Sequence, residues 1–136
     1  MTELKNFFGA TFGEQKPDVD YSDENLISVV GVTFSNDDGT VRQNYLNKAL
    51  TVHIQEDWIP VCLEREPDNK YDEFAVKVLF RLEGSYVQVG YIPKDVAKML
   101  TEALKLNEVG DVIVHGLGLV PGKIIVGCQI KIYGKK

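Results

Sequence analysis

The sequence predicts a β-rich α+β domain in which about six short strands bend into a small barrel beside two helices. Three observations carry that reading. Phe74 to Leu82 and Tyr86 to Ile92 alternate apolar and polar side chains on either side of a short turn at Glu83–Ser85, the signature of a hairpin. Val41–Leu50 and the stretch after Pro93 instead space their apolar residues at helical intervals. Glycines recur inside the strand-like runs of the last third, at Gly116, Gly118 and Gly127, where they mark bends.

Residues 1–26 read as an acidic, flexible N-terminal tail, and residues 27–136 as one folded domain. Leu4, Phe7, Phe8 and Phe12 give the tail a short apolar arm. Ile27–Phe34 is the first strand by its β-branched content, with Gly31 as a bulge or a close backbone approach. Ser35–Thr40 is a turn, and Val41, Tyr45, Leu46, Ala49 and Leu50 then share one helix face, capped by Asp38 or Thr40. Arg42 and Gln43 open its polar side. Thr51–Gln55 reads as a brief strand and Val61–Arg65 as another. After the central hairpin, Pro93 suits a helix's first turn, and Val96, Leu100, Ala103 and Leu104 form an apolar stripe running to Leu106. Two strands joined near Pro121 and Gly122 complete the chain.

Charge narrows the range of functions. The chain holds 15 basic and 20 acidic residues, but the first 25 residues contain 2 of the basic and 6 of the acidic ones. That leaves 13 and 14 for the rest, so the folded part is nearly neutral. A general phosphate binder carries a basic stripe, because counterion release supplies most non-specific affinity. Any nucleic-acid contact here is therefore expected to be local. Cys62 and Cys128 each lie in an apolar run without paired spacing, which argues for core thiols and against a zinc site, a disulfide framework or any cofactor. No run approaches the ~20 apolar residues of a membrane span, and the N-terminus lacks a signal-peptide core, so a cytoplasmic protein without membrane contact is expected.

Enzyme chemistry finds little support. His53 and His115 fall in separate predicted strands, and the glycine-rich stretch Gly116–Gly122 leads into a strand, without the helix N-terminus that holds a phosphate. The densest local signal is E-P-D-N-K-Y-D-E-F-A-V-K-V at Glu66–Val78, where a turn runs directly into a strand. Turn chemistry alone makes Asp72 a cap of its own backbone and Tyr71 a packed aromatic. It equally leaves an aromatic and a carboxylate side by side at the mouth of a sheet.

That block, followed by V-G-Y-I-P-K-D at Val89–Asp95 and preceded by V-V-G at Val29–Gly31, resembles the HIRAN domain, found at the front of helicase-like SNF2 remodellers and as small stand-alone bacterial proteins. The three blocks, in the family's order, span most of Ile27–Tyr133. The resemblance implies an OB-like or SH3-like barrel and a module that binds single-stranded DNA at a free 3′ end, in DNA repair or replication-fork processing. Tyr71 would stack on the last nucleotide and Asp72 would accept a hydrogen bond from its 3′ hydroxyl. Lys94 would meet the phosphate backbone and Phe34 would flank the end nucleotide; their simpler readings are a solvated lysine and a core phenylalanine.

The sequence departs from the family pattern at Thr33, where a basic residue is expected, and so lacks a planar phosphate contact there. Arg42 would substitute for that charge, or is a solvated helix-surface arginine. Hydrolase activity and zinc belong to the helicase and RING-finger fusions of the family, so neither is implied here. The alternative function is a protein-interaction adaptor that uses the Tyr71 cleft or the acidic tail, with no nucleic acid involved.

Overall fold

The computed structural model describes residues 3–5, 11–13, 24–105 and 108–134. In chain order these form β1 (Glu3–Lys5), β2 (Thr11–Gly13), β3 (Glu24–Ser28), α1 (Arg42–Ile54), β4 (Val61–Arg65), β5 (Val76–Leu82), β6 (Ser85–Tyr91), α2 (Lys94–Lys105), β7 (Val109–Leu119) and β8 (Val126–Gly134). Strands β3–β8 make two antiparallel sheets, ordered β3-β8-β7 and β4-β5-β6. Two helices and six strands in two sheets constitute the β-rich α+β fold that the sequence predicts. The short β1–β2 pair forms a third sheet. The rest of the expected tail up to residue 23 lies outside the described residues.

Strand β5 shows why these residues form a sheet. Val76, Val78, Phe80 and Leu82 are buried, while Lys77, Leu79 and Arg81 between them are half-buried. Each fully buried apolar side chain of this kind contributes about 1.5–3 kcal/mol. The β5–β6 hairpin closes through Glu83 and Gly84, at φ 52° and 84°, the two positive values that a type I′ turn requires. Helix α1 adds Leu46 and Ala49 to the core, and α2 adds Ala97, Leu100 and Leu104. Cys62 and Cys128 are buried free thiols, and desolvation pushes both up to about 12.

Among the described residues one backbone bridge joins the two sheets. Val30, just past β3, pairs with Tyr91 at the end of β6 through reciprocal N–H to O bonds of 2.9 Å. The strands therefore run β7-β8-β3, then across this bridge to β6-β5-β4. On the far side β4 approaches β7 without a hydrogen-bonded ladder, which leaves a partly open barrel. Gly90 makes the bridge possible. A Cβ there would lie 2.5 Å from both Val29 Cγ1 and Val30 O.

Several boundaries differ from those expected. The first strand begins at Glu24 and ends at Ser28, because Gly31 at φ 71° turns the chain and Phe34 N–H bonds back to Gly31 O at 3.2 Å. Helix α1 continues through Thr51–Ile54, where a strand is expected. Val52 packs against the core and Thr51 Oγ1 bonds back to Asn47 O, so packing outweighs the β-branched residues' preference for strands. Neither Asp38 nor Thr40 caps α1: Val41 occupies that position, and Asp38 Oδ1 accepts Thr40 N–H within the preceding turn. Strand β5 starts at Val76, since Asp72 holds Phe74 and Ala75 in a turn. Pro93 immediately precedes α2, and its carbonyl accepts the N–H groups of Val96 and Ala97. Helix α2 ends at Lys105, and Leu106 lies outside the described residues. No helix among the described residues is long and apolar enough to cross a membrane.

Candidate functional site

The loop from Glu66 to Ala75 is held by its own side chains. Glu66 N–H bonds to Ala75 O at 2.8 Å and closes the base of the loop. Asn69 reaches both ways across it. Its Nδ2 donates to Glu66 Oε1 at 2.6 Å, and its Oδ1 accepts the N–H groups of Tyr71 at 2.8 Å and Asp72 at 3.0 Å. Asp72 Oδ1 then accepts Phe74 N–H at 2.9 Å, an Asx turn that hands the chain to β5. Helix α2 braces this end, with Thr101 Oγ1 donating to Phe74 O and Lys98 Nζ 5.5 Å from the Phe74 ring centre.

With its backbone fixed, the loop projects Tyr71 outward. Its side chain is 90% exposed, so it is not the packed aromatic that turn chemistry suggests. Phe34 is 67% exposed and likewise lies outside the core. Both residues line one cleft of about 1130 Å³, together with Arg42, Asp72, Lys94, Gly31 and Tyr91. All five residues singled out in the sequence therefore converge. They come from the turn after β3 (Phe34), from α1 (Arg42), from the β4–β5 loop (Tyr71 and Asp72) and from the first residue of α2 (Lys94).

Arg42 corrects the reading of a solvated helix-surface side chain. It is 5% exposed and shares the buried face of α1 with Leu46 and Ala49. Its Nε donates to Asn36 Oδ1 at 2.7 Å, its Nη1 donates to Gly31 O at 2.8 Å, and its Cζ lies 5.2 Å from the Tyr91 ring centre. Two hydrogen bonds and a cation–π contact offset the desolvation of a buried charge. Gly31 must be small here: a Cβ would meet Arg42 Nη1 at 3.1 Å, with Phe34 and Tyr91 next nearest. Gln43, expected on the polar side, instead bonds the backbone of Val32 and Val126 and pins α1 to β8.

Glu66 and Tyr91 line the same cleft and escape the sequence reading as site residues. Tyr91 Oη donates to Glu66 Oε1 at 2.8 Å, and Lys77 Nζ lies 2.9 Å from Glu66 Oε2. Burial opposes the charge on Glu66, but hydrogen bonds from Asn69, Lys77 and Tyr91 outweigh it and hold the carboxyl below the usual glutamate range. Lys77 is shifted up: burial acts against its charge, and the bond and charge of Glu66 prevail. The signal that could have exposed Glu66 is the alternation on β5, which turns Lys77 away from the core while leaving it half-buried and in need of an anion.

The charges around the cleft are mixed, with Asp37, Asp68 and Asp72 beside Lys70 and Lys94. His53 lies on α1, not in a strand, and His115 is exposed on β7; neither lines the cleft. Among the described residues no three His, Cys, Asp or Glu side chains come together as metal ligands do.

The sequence model of the HIRAN domain matches residues 27–114. Among solved structures, the crystal structure of the HIRAN domain of human HLTF is similar in fold, with a TM-score of 0.50 and 21% identity, covering 84% of this chain and 78% of that one. No curated protein matches the chain.

Proposed function

The chain belongs to the HIRAN domain family, and from that premise we propose that it is a binding module, not an enzyme, whose cleft receives the free 3′ end of a single DNA strand. One observation carries the reading: two exposed aromatics, Tyr71 and Phe34, share a cleft with Asp72 and Lys94. An exposed ring offers a face on which any base can stack, worth about 1–3 kcal/mol. Asp72 gives one oxygen to Phe74 N–H, and its second has no protein partner among the described residues. A carboxylate oxygen accepts from a terminal hydroxyl and repels a phosphate, so it selects strand ends over continuous strands. Lys94 stands at the N-terminus of α2, where cation and helix dipole both favour a phosphate. Arg42 supplies the charge missing at Thr33 from beneath, as a fixed guanidinium in the cleft wall. End recognition of this kind suits DNA repair or fork processing.

A second reading, a protein-interaction adaptor, draws on Asp37 and Asp68, acidic groups that a phosphate chain would avoid. Titration of labelled single strands ending in 3′ hydroxyl or 3′ phosphate, and of blunt duplex, separates the two. Preference for the 3′ hydroxyl supports end recognition, and absence of binding to all three leaves the adaptor.

A further inference from the structure

We propose that Glu66 is the positioning residue of the cleft, a single carboxylate that fixes both aromatic walls, and that ligand affinity depends on it although it need not touch the ligand. The inference deepens the end-binding reading and rests on it for the ligand alone.

Glu66 is poorly placed to be only the charge partner of Lys77. Its side chain is 15% exposed, and Oε2 alone faces the lysine. Oε1 accepts from Asn69 Nδ2 and from Tyr91 Oη. Each of those donors leads to one wall. Asn69 Oδ1 holds the N–H groups of Tyr71 and Asp72. Tyr91 carries Arg42 against its ring, Arg42 holds Gly31 O, and that same carbonyl accepts Phe34 N–H. Tyr71 makes little packing contact of its own at 90% exposure, so its position is set by the backbone beneath it. Without the Glu66 anchor, Asn69 is free to rotate and the loop samples other conformations. Apparent affinity falls in proportion to the fraction of molecules with the loop in place.

The test uses the full chain and two readouts. Hydrogen exchange of the Tyr71 and Asp72 amides reports loop order without any ligand, and binding is read with a fluorescein-labelled oligothymidylate bearing a free 3′ hydroxyl. Lys77→Met is combined with each removal of charge at Glu66 so that no unpaired buried cation remains. Glu66→Gln/Lys77→Met keeps an oxygen for Asn69 and Tyr91 and should retain amide protection and affinity. Glu66→Ala/Lys77→Met should lose the protection and bind about tenfold more weakly, as expected for a loop in place in one molecule of ten. In an Asn69→Ala/Lys77→Met background the Tyr71 wall is already released, so further Glu66→Ala should leave the exchange of the Tyr71 and Asp72 amides unchanged and weaken binding only through the Tyr91 wall. Should the alanine variant fail to fold, Glu66→Asp keeps the charge but shortens the reach. A positioning role predicts lost protection there, and a purely ionic role predicts none. Wild-type protection of both amides in folded Glu66→Ala/Lys77→Met, or in folded Glu66→Asp, overturns the proposal. If the wild type binds no oligothymidylate, end recognition fails while the exchange data still decide the role of Glu66.

Discussion

Arg42 lies 5.2 Å from the centre of the Tyr91 ring, buried in the wall of the cleft rather than extended into solvent. A lysine cannot replace it, because an ammonium on a flexible stem loses the planar fork that reaches Gly31 O and Asn36 Oδ1 together. Arg42→Lys should lower stability by about 1–3 kcal/mol, read as a shift of the urea midpoint at constant slope.

Tyr71→Ala should separate binding from folding. Because the ring is almost fully exposed, stability should stay within about 0.5 kcal/mol of wild type. Affinity for a 3′-hydroxyl strand should fall by about 1–3 kcal/mol, the value of one stacked base. Fluorescence anisotropy beside thermal melts measures both.

Asp72 and Lys94 should fail in different ways. Asp72→Ala should erase the difference between 3′-hydroxyl and 3′-phosphate ends, whereas Lys94→Ala should weaken both alike. The wild-type salt slope should be shallow, corresponding to about one to three released counterions. Titrations at several salt concentrations test all three statements.

Gly90→Ala should strike the fold rather than the ligand. The new methyl would collide with Val30 O, a backbone atom that cannot step aside while it is bonded to Tyr91. Overpacking of this kind costs about 1–3 kcal/mol or more, measurable by denaturant titration.

The Glu66–Lys77 pair should give stability a dependence on pH at both ends. The folded protein holds the Glu66 carboxyl below its unfolded value, so its contribution is complete above the ordinary glutamate range and is lost as pH falls through the lowered value. Lys77 is raised, so its contribution is complete below the ordinary lysine range and is lost as pH rises through the raised value. Urea stability followed across pH should show both limbs, and Glu66→Gln/Lys77→Met should flatten them.

Much of this was legible in the residues. The strand read over Val61–Arg65 matches β4 to the residue, although its burial does not alternate, since Val61, Cys62 and Leu63 are all buried. Tyr71, Asp72, Phe34 and Lys94 are legible only through a motif, since no local period brings three separate segments to one cleft. Charge alone places Arg42 on the polar side of its helix, although Arg42, Leu46 and Ala49 keep the spacing of a single helix face. Glu66 reads as a turn residue because two of the partners that define it, Lys77 and Tyr91, belong to strands whose approach only the fold creates. Thr51–Ile54 has strand-forming composition and sits in a helix because Val52 finds the core there.

The Val30–Tyr91 bridge has a mechanical meaning. It is the one backbone bridge joining the two sheets among the described residues, and segments on both sides of it line the cleft, Val30, Gly31 and Phe34 following β3 and Tyr91, Ile92 and Lys94 at and beyond the end of β6. An occupant touching both segments is a second clasp laid across the first. Parting of the barrel along this line would empty the cleft, and filling the cleft would hold the line shut. The amides of Val30 and Tyr91 should therefore exchange more slowly as ligand is added, making this join a gauge of occupancy inside the protein itself.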